Sequence, residues 1–178
     1  MRNISLGSYL KREDYIQYTF ILDSLKAKDC LNFDLNKLTY NDVIKCFRIL
    51  STASDIKDVC ELFGIVYGLT EKQFFKLPII KYFQTKKFIE EKFVNLREHE
   101  SKLLKTSDAD SAYFEAAGGK RLNNFSDVLP LDKLAKIYGG YPMDYGDKKY
   151  VEVIYLLKMN QEINMVDKKF NEIKYGHS

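Results

Sequence analysis

The chain has 178 residues, of which 46% are hydrophobic, 14% aromatic and 30% charged. That is long and apolar enough to bury a core, and it excludes the disordered, collagen-like and low-complexity classes. A net charge of +3, carried by 23 Lys and only 5 Arg, argues against a dedicated nucleic-acid binder, because forked recognition of phosphates and bases favours Arg.

The first residues, MRNISLGSYLKRED, contain no apolar core region, so no signal peptide is expected. The apolar runs are all shorter than the roughly 20 residues that cross a bilayer, so no membrane partner is expected either. Residues 12 to 27, REDYIQYTFILDSLKA, put Ile16, Phe20 and Leu25 near one helical stripe, with Ile21 and Leu22 beside it. NFDLNKL reads as a loop. Thr39 then opens T-Y-N-D, an N-cap with an acidic first turn, for a helix to about Leu50 that buries Val43, Ile44 and Phe47. Ser54 or Asp55 caps the next helix, in which Ile56, Val59, Phe63 and Val66 recur at helical spacing and Gly68 is the stop. Thr70-Glu71-Lys72-Gln73 fits a capping box for a short helix. Leu77-Pro78 breaks it, and Pro78 opens a helix to about Lys105, roughly 40 Å long. Ile80, Phe83, Phe93 and Leu96 supply its apolar side, whereas REHESKLLK near its end is polar and is expected to project or to meet a partner.

Residues 106–128 show no clean period and read as an irregular arm; a loop of that length in a small domain is usually functional or disordered. Pro130 starts a short helix, LDKLAKIY, which Gly139-Gly140 ends. The stretch KIYGGYPMDYGDKKYVEVIYLL then reads as helix stop, turn and helix start. Asp147 is the expected N-cap of a last helix from Lys148 to about Tyr175, on which Val153, Leu157, Asn164, Phe170 and Ile173 loosely share a face. No segment alternates with a period of two. The fold class is therefore all-α: a single helical domain of about six or seven helices, with one long helix at about 78–105. It divides into an N-terminal helical block at 1–105, the arm at 106–128 and a C-terminal helical segment at 129–178. Tyr67-Gly68 and Tyr138-Gly139 mark two helix–YG–linker–helix units, an internal echo about 70 residues apart.

Reactive side chains do not assemble into a recognisable site. Cys30, Cys46 and Cys60 are spaced for neither a zinc ligand pair nor a disulfide framework, and read as reduced thiols packed as small hydrophobes in a reducing compartment. Gly118-Gly119-Lys120-Arg121 departs from a phosphate loop, with Phe114 at the first glycine position and Arg121 in place of Ser or Thr. Asp108 and Asp110 lack further ligands at a recognisable spacing. His99 lies in a charged run and His177 near the end, neither beside a nucleophile. Lys86-Lys87 and Lys148-Lys149 read as solvated helix faces. The expectation is a non-enzyme with no catalytic residue, cofactor, metal or small-molecule substrate. The 13 Tyr and 12 Phe are the strongest functional hint, since aromatic residues dominate interface cores as well as interiors. Candidate interface residues are Tyr113, Phe114 and Phe125 on the arm and Tyr141 and Tyr145 in the glycine-rich turn. A homo-oligomer is expected.

The segments ELFGIVYGLTEKQFFKLPIIKYFQTKKFIEEKF and LDKLAKIYGGYPMDYGDKKYVEVIYLLKMN resemble parts of small helical proteins of tailed bacteriophages. The likeness is to helical tail-assembly chaperones and, in length and lysine-rich composition, to neck and tail ring proteins of short-tailed phages, including the crAss-like group. It implies a virion structural protein: a ring or adaptor subunit at the neck or tail, made in the host cytoplasm and bound to copies of itself and to other virion proteins. The alternative it implies is a cytoplasmic tail-assembly chaperone that binds another tail protein. A third reading, from a different class, is a small DNA-associated regulator. These phage families carry no active site whose residues could be transferred.

Overall fold

In this computed structural model, which describes residues 4–28, 31–104, 113 and 115–176, local signals start or stop several helices. Helix α1 (Leu6–Leu10) begins where the Ser5 hydroxyl accepts the Ser8 N–H at 3.2 Å. Helices α2 (Tyr15–Asp23) and α3 (Tyr40–Thr52) follow. The Asp55 carboxylate starts α4 (Ile56–Tyr67) by accepting the N–H groups of Lys57 at 2.6 Å and Asp58 at 3.1 Å. Gly68 ends it in the left-handed region, at φ 68°. The Thr70–Gln73 capping box forms in both directions and starts α5 (Glu71–Phe75). Beyond Pro78 runs α6 (Ile79–Leu103), then α7 (Leu129–Tyr138), α8 (Pro142–Gly146) and α9 (Tyr150–Tyr175). Two 3₁₀ helices, Leu35–Lys37 and Gly119–Phe125, are also present. Among the described residues there is no strand, only the isolated bridges Ser5–Pro78 and Thr39–Lys149, and the fold is all-α.

Four details depart from the sequence reading. Helix α1 was not foreseen, because five residues are too few to display a period. Helix α2 turns its Ile16–Phe20 stripe outward: Phe20 is 84% exposed, and only Leu22 of this helix is buried. The segment YIQYTFILD is apolar nearly all round, so its period cannot choose a face. Asp147 does not cap the last helix. It sits at the C-terminal end of α8, where its carboxylate accepts Asn41 Nδ2 at 3.2 Å, and Lys149 precedes α9 without a side-chain cap. In the arm, residues 106–112 and Phe114 lie outside the described residues, as does Lys105 before it. Its described part includes the 3₁₀ helix, whose three residues per turn leave no 3.6-residue period to detect.

The chain forms two compact units, Met1–Leu38 with Asp42–Arg97, and Thr39–Asn41 with Glu98–Ser178. The first is built on an aromatic cluster. The Phe63 ring lies 5.2 Å from Phe74 and 5.8 Å from Tyr82, and Tyr82 lies 5.0 Å from Phe83. Phe47 meets Phe93 edge-on at 5.4 Å, and the Arg97 guanidinium covers Phe47 at 4.6 Å. Val43, Cys46, Ile79 and Ile89 of the same unit are fully buried. Edge-on ring pairs add about 0.5–1.5 kcal/mol each beyond their burial, so this cluster uses much of the aromatic content.

In the second unit Tyr40 stacks on Tyr150 at 6.2 Å, and the Tyr40 N–H donates to the Lys148 carbonyl at 2.9 Å. The Tyr150 hydroxyl donates to Glu100 Oε2 at 3.1 Å. Leu131 and Leu134 of α7 and Val153, Ile154 and Leu157 of α9 are buried there. Asn160, also buried, is satisfied twice: Nδ2 donates to the Leu156 carbonyl at 3.0 Å, and Oδ1 accepts the Tyr138 hydroxyl at 3.2 Å.

Each unit carries one copy of the echo read from the sequence. A helix ends at a Tyr-Gly step, a five-residue helix follows, and a bridged residue leads into a helix of 25 or 26 residues. Gly68 and Gly139, Glu71 and Pro142, and Ile79 and Tyr150 are each 71 positions apart.

Candidate functional site

Among the described residues, no three His, Cys, Asp or Glu side chains come together as metal ligands. Asp108, Asp110, Cys30 and His177 lie outside those residues. Burial pushes the Cys46 thiol up to about 12, and burial followed by the charge of Glu71 raises that of half-buried Cys60. Both thiols therefore stay protonated near neutrality, without the thiolate that nucleophilic chemistry needs. His99 is exposed on α6. Lys120 pairs with Glu115 at 3.7 Å, Lys86 with Glu90 at 3.0 Å, and the Lys148 ammonium lies 5.7 Å from the Tyr145 ring centre. A cleft of about 550 Å³ in the first unit is walled mainly by Leu10, Ile49, Ile56, Val59 and Tyr82. Of its charged lining, Lys86 and Glu90 pair with each other, and the Asp55 carboxylate accepts the N–H groups of Lys57 and Asp58.

Apolar surface is the conspicuous feature. On α2, Ile16, Phe20 and Ile21 all face solvent. Around the α7–α8 turn, Ile137, Tyr138, Tyr141 and Met143 are exposed. On α9 every residue from Glu162 to Gly176 is exposed, and among them Ile163, Val166, Phe170 and Ile173 recur at helical spacing. Scattered apolar side chains are ordinary on a protein surface, whereas rows of them along a helix mark contact faces.

The candidate interface residues are distributed unevenly over this surface. Tyr113 and Phe125 of the arm are exposed, and Phe114 lies outside the described residues. In the glycine-rich turn the two tyrosines part ways. Tyr141 is 78% exposed, and its N–H donates to Asp144 Oδ2 at 2.9 Å. Tyr145 is 7% exposed, and its hydroxyl donates to the Gly139 carbonyl at 2.9 Å, which commits its ring to closing the turn. The stretch that opens at Lys136 turns at Gly139 and Gly140, with φ of 83° and 85°, but a five-residue helix, α8, occupies Pro142–Gly146 where the sequence reading placed only a turn. Sequence reasoning missed the α2 face and the α9 row. For α9 a signal existed, the alternating 3- and 4-residue spacing from Leu156 to Ile173. Placing Val153, Leu157 and Asn164 on the same face as Phe170 obscured it.

No helix among the described residues is long and apolar enough to cross a membrane. No family model, curated protein or solved structure matches the chain, so any functional reading stands on these residues.

Proposed function

We propose that this protein is a non-catalytic assembly subunit that works by self-association through exposed helical faces. Its proposed place is the neck or tail of a tailed phage, as a ring or adaptor protein. The observation that carries the assembly role is the second half of α9, fully exposed over Glu162 to Gly176 yet studded with Ile163, Val166, Phe170 and Ile173. Water is a poor environment for such a helix alone, and a second surface removes the cost. The phage placement draws on the resemblance of the two helix–YG–helix segments. The modest, lysine-borne charge supports protein contacts over a nucleic-acid role. Quantitative mass spectrometry of phage particles made by cells expressing the protein tests the placement. Stoichiometric presence is the expected result. Absence from particles, with the protein bound to a tail component in the lysate, would replace the ring subunit with an assembly chaperone.

A further inference from the structure

We propose that the outer face of α9 pairs with the same segment of a second copy of this chain as an antiparallel two-stranded coiled coil. This builds on the assembly reading above and supplies the partner and the seam. Leu156, Met159, Ile163, Val166, Phe170 and Ile173 alternate 3- and 4-residue spacings, the a and d pattern of heptads. At about 100° per residue, Met159, Val166, Phe170 and Ile173 lie away from buried Tyr150, Val153, Leu157 and Asn160, Ile163 lies nearer to them, and Leu156 sits at the edge of the seam, next to Asn160. Leu156 and Met159 are half-buried, and the remaining four are exposed. The seam is therefore open from Ile163 to Ile173 and partly covered by its own unit at Leu156 and Met159.

Charge selects the occupant and its direction. Glu162 and Lys169 immediately precede the seam residues Ile163 and Phe170, while Asp167 and Lys174 immediately follow Val166 and Ile173. These are the g and e positions that set partner and orientation. A parallel, in-register pair would set Glu162 against Asp167 and Lys169 against Lys174, like charge on like throughout. An antiparallel pair layers Leu156 on Ile173, Met159 on Phe170 and Ile163 on Val166, and it brings Glu162 of each copy to Lys169 of the other. The two-fold axis makes that attraction occur twice, and the contact is isologous and closes on itself. Glu162 also pairs with Lys158 of its own helix at 2.5 Å, but it is 54% exposed and retains room for a second cation.

The test is sedimentation equilibrium of the full chain over a concentration series. The wild type is expected to dimerise. Val166→Asp, at an exposed position, should abolish the α9-paired dimer with the circular dichroism unchanged. Lys169→Glu should weaken the dimer about tenfold, and Glu162→Lys added to it should restore affinity to within about threefold. A monomeric wild type, or a Lys169→Glu variant that binds unchanged or more tightly, would overturn the antiparallel pair; tightening would indicate parallel helices. Oligomers indifferent to Val166→Asp would overturn the seam while leaving the assembly role standing. An intact seam in a protein that never enters particles would remove only the phage placement.

Discussion

Asp55 and Asp147 both sit just ahead of a helix, yet only Asp55 caps one, through two backbone N–H groups. Asp55→Ala should therefore cost about 0.5–2 kcal/mol in urea unfolding, whereas Asp147→Ala should stay within about 0.5 kcal/mol, having only the Asn41 contact between exposed groups to lose. A larger loss at Asp147 than at Asp55 would reverse that assignment. The misreading of Asp147 has a local cause. Pro142 and Asp144 already encode a helix start, proline in its first turn and an acid three residues past Tyr141, and the resulting α8 absorbs the position that looked like a cap. Other residue-scale effects were beyond sequence reasoning because burial produces them. Desolvation raises the Cys46 thiol from 9.0 to about 12 and lifts the phenols of Tyr40, Tyr82 and Tyr150 well above 10.0. The folded state then retains protons that the unfolded state releases, so stability is complete below about pH 9 and falls as pH rises toward 12. Urea midpoints at pH 8 and pH 10.5 check this: a lower midpoint at pH 10.5 is expected, and equal midpoints would mean these groups ionise in place.

At the scale of elements, most caps and stops were legible. So were the faces of α3, α4 and α6, where Val43, Phe47, Phe63, Val66, Phe83 and Phe93 are buried, but the faces of α2 and α9 were not. Gly68, the Thr70–Gln73 box and Asp55 are written in a few adjacent residues and fixed by backbone geometry, which is why sequence alone located α4 and α5. The direction a helix faces depends on what packs against it. Helix α2 has apolar residues on most of its circumference, so tertiary packing decided that Leu22 points in and Phe20 out. Helix α9 changes character along its length. Its first half is held by Tyr150, Val153, Ile154, Leu157 and Asn160, and its second half contributes nothing to the core. A chain ending after Gln161 should therefore melt within about 3 °C of the full-length protein while losing the helical signal of the removed turns. A transition lowered by much more, read in a thermal scan, would reveal that the missing segment supports the second unit.

For the whole molecule, the repeated motif organises both units, and the sequence exposed it because Tyr-Gly steps and five-residue helices depend on local chemistry. Function was much less legible. The same aromatic richness builds the Phe63–Phe74–Tyr82 cluster and supplies exposed rings such as Phe20 and Tyr141, and composition cannot divide one use from the other. Burial does divide them, and it leaves a face on α2 in the first unit and one on α9 in the second. An isologous α9 seam alone stops at a dimer, whereas a closed ring requires an additional head-to-tail contact. If α2 provides that contact, the two faces act independently. Phe20→Ser, at an 84% exposed position, should then reduce larger assemblies to dimers in native mass spectrometry without lowering the melting temperature. Val166→Asp should leave only the contact made through α2. The double variant should be monomeric, with association free energies additive to within about 0.5 kcal/mol. A Phe20→Ser protein with the wild-type mass distribution would show that α2 takes no part in assembly and that any ring must close through another surface.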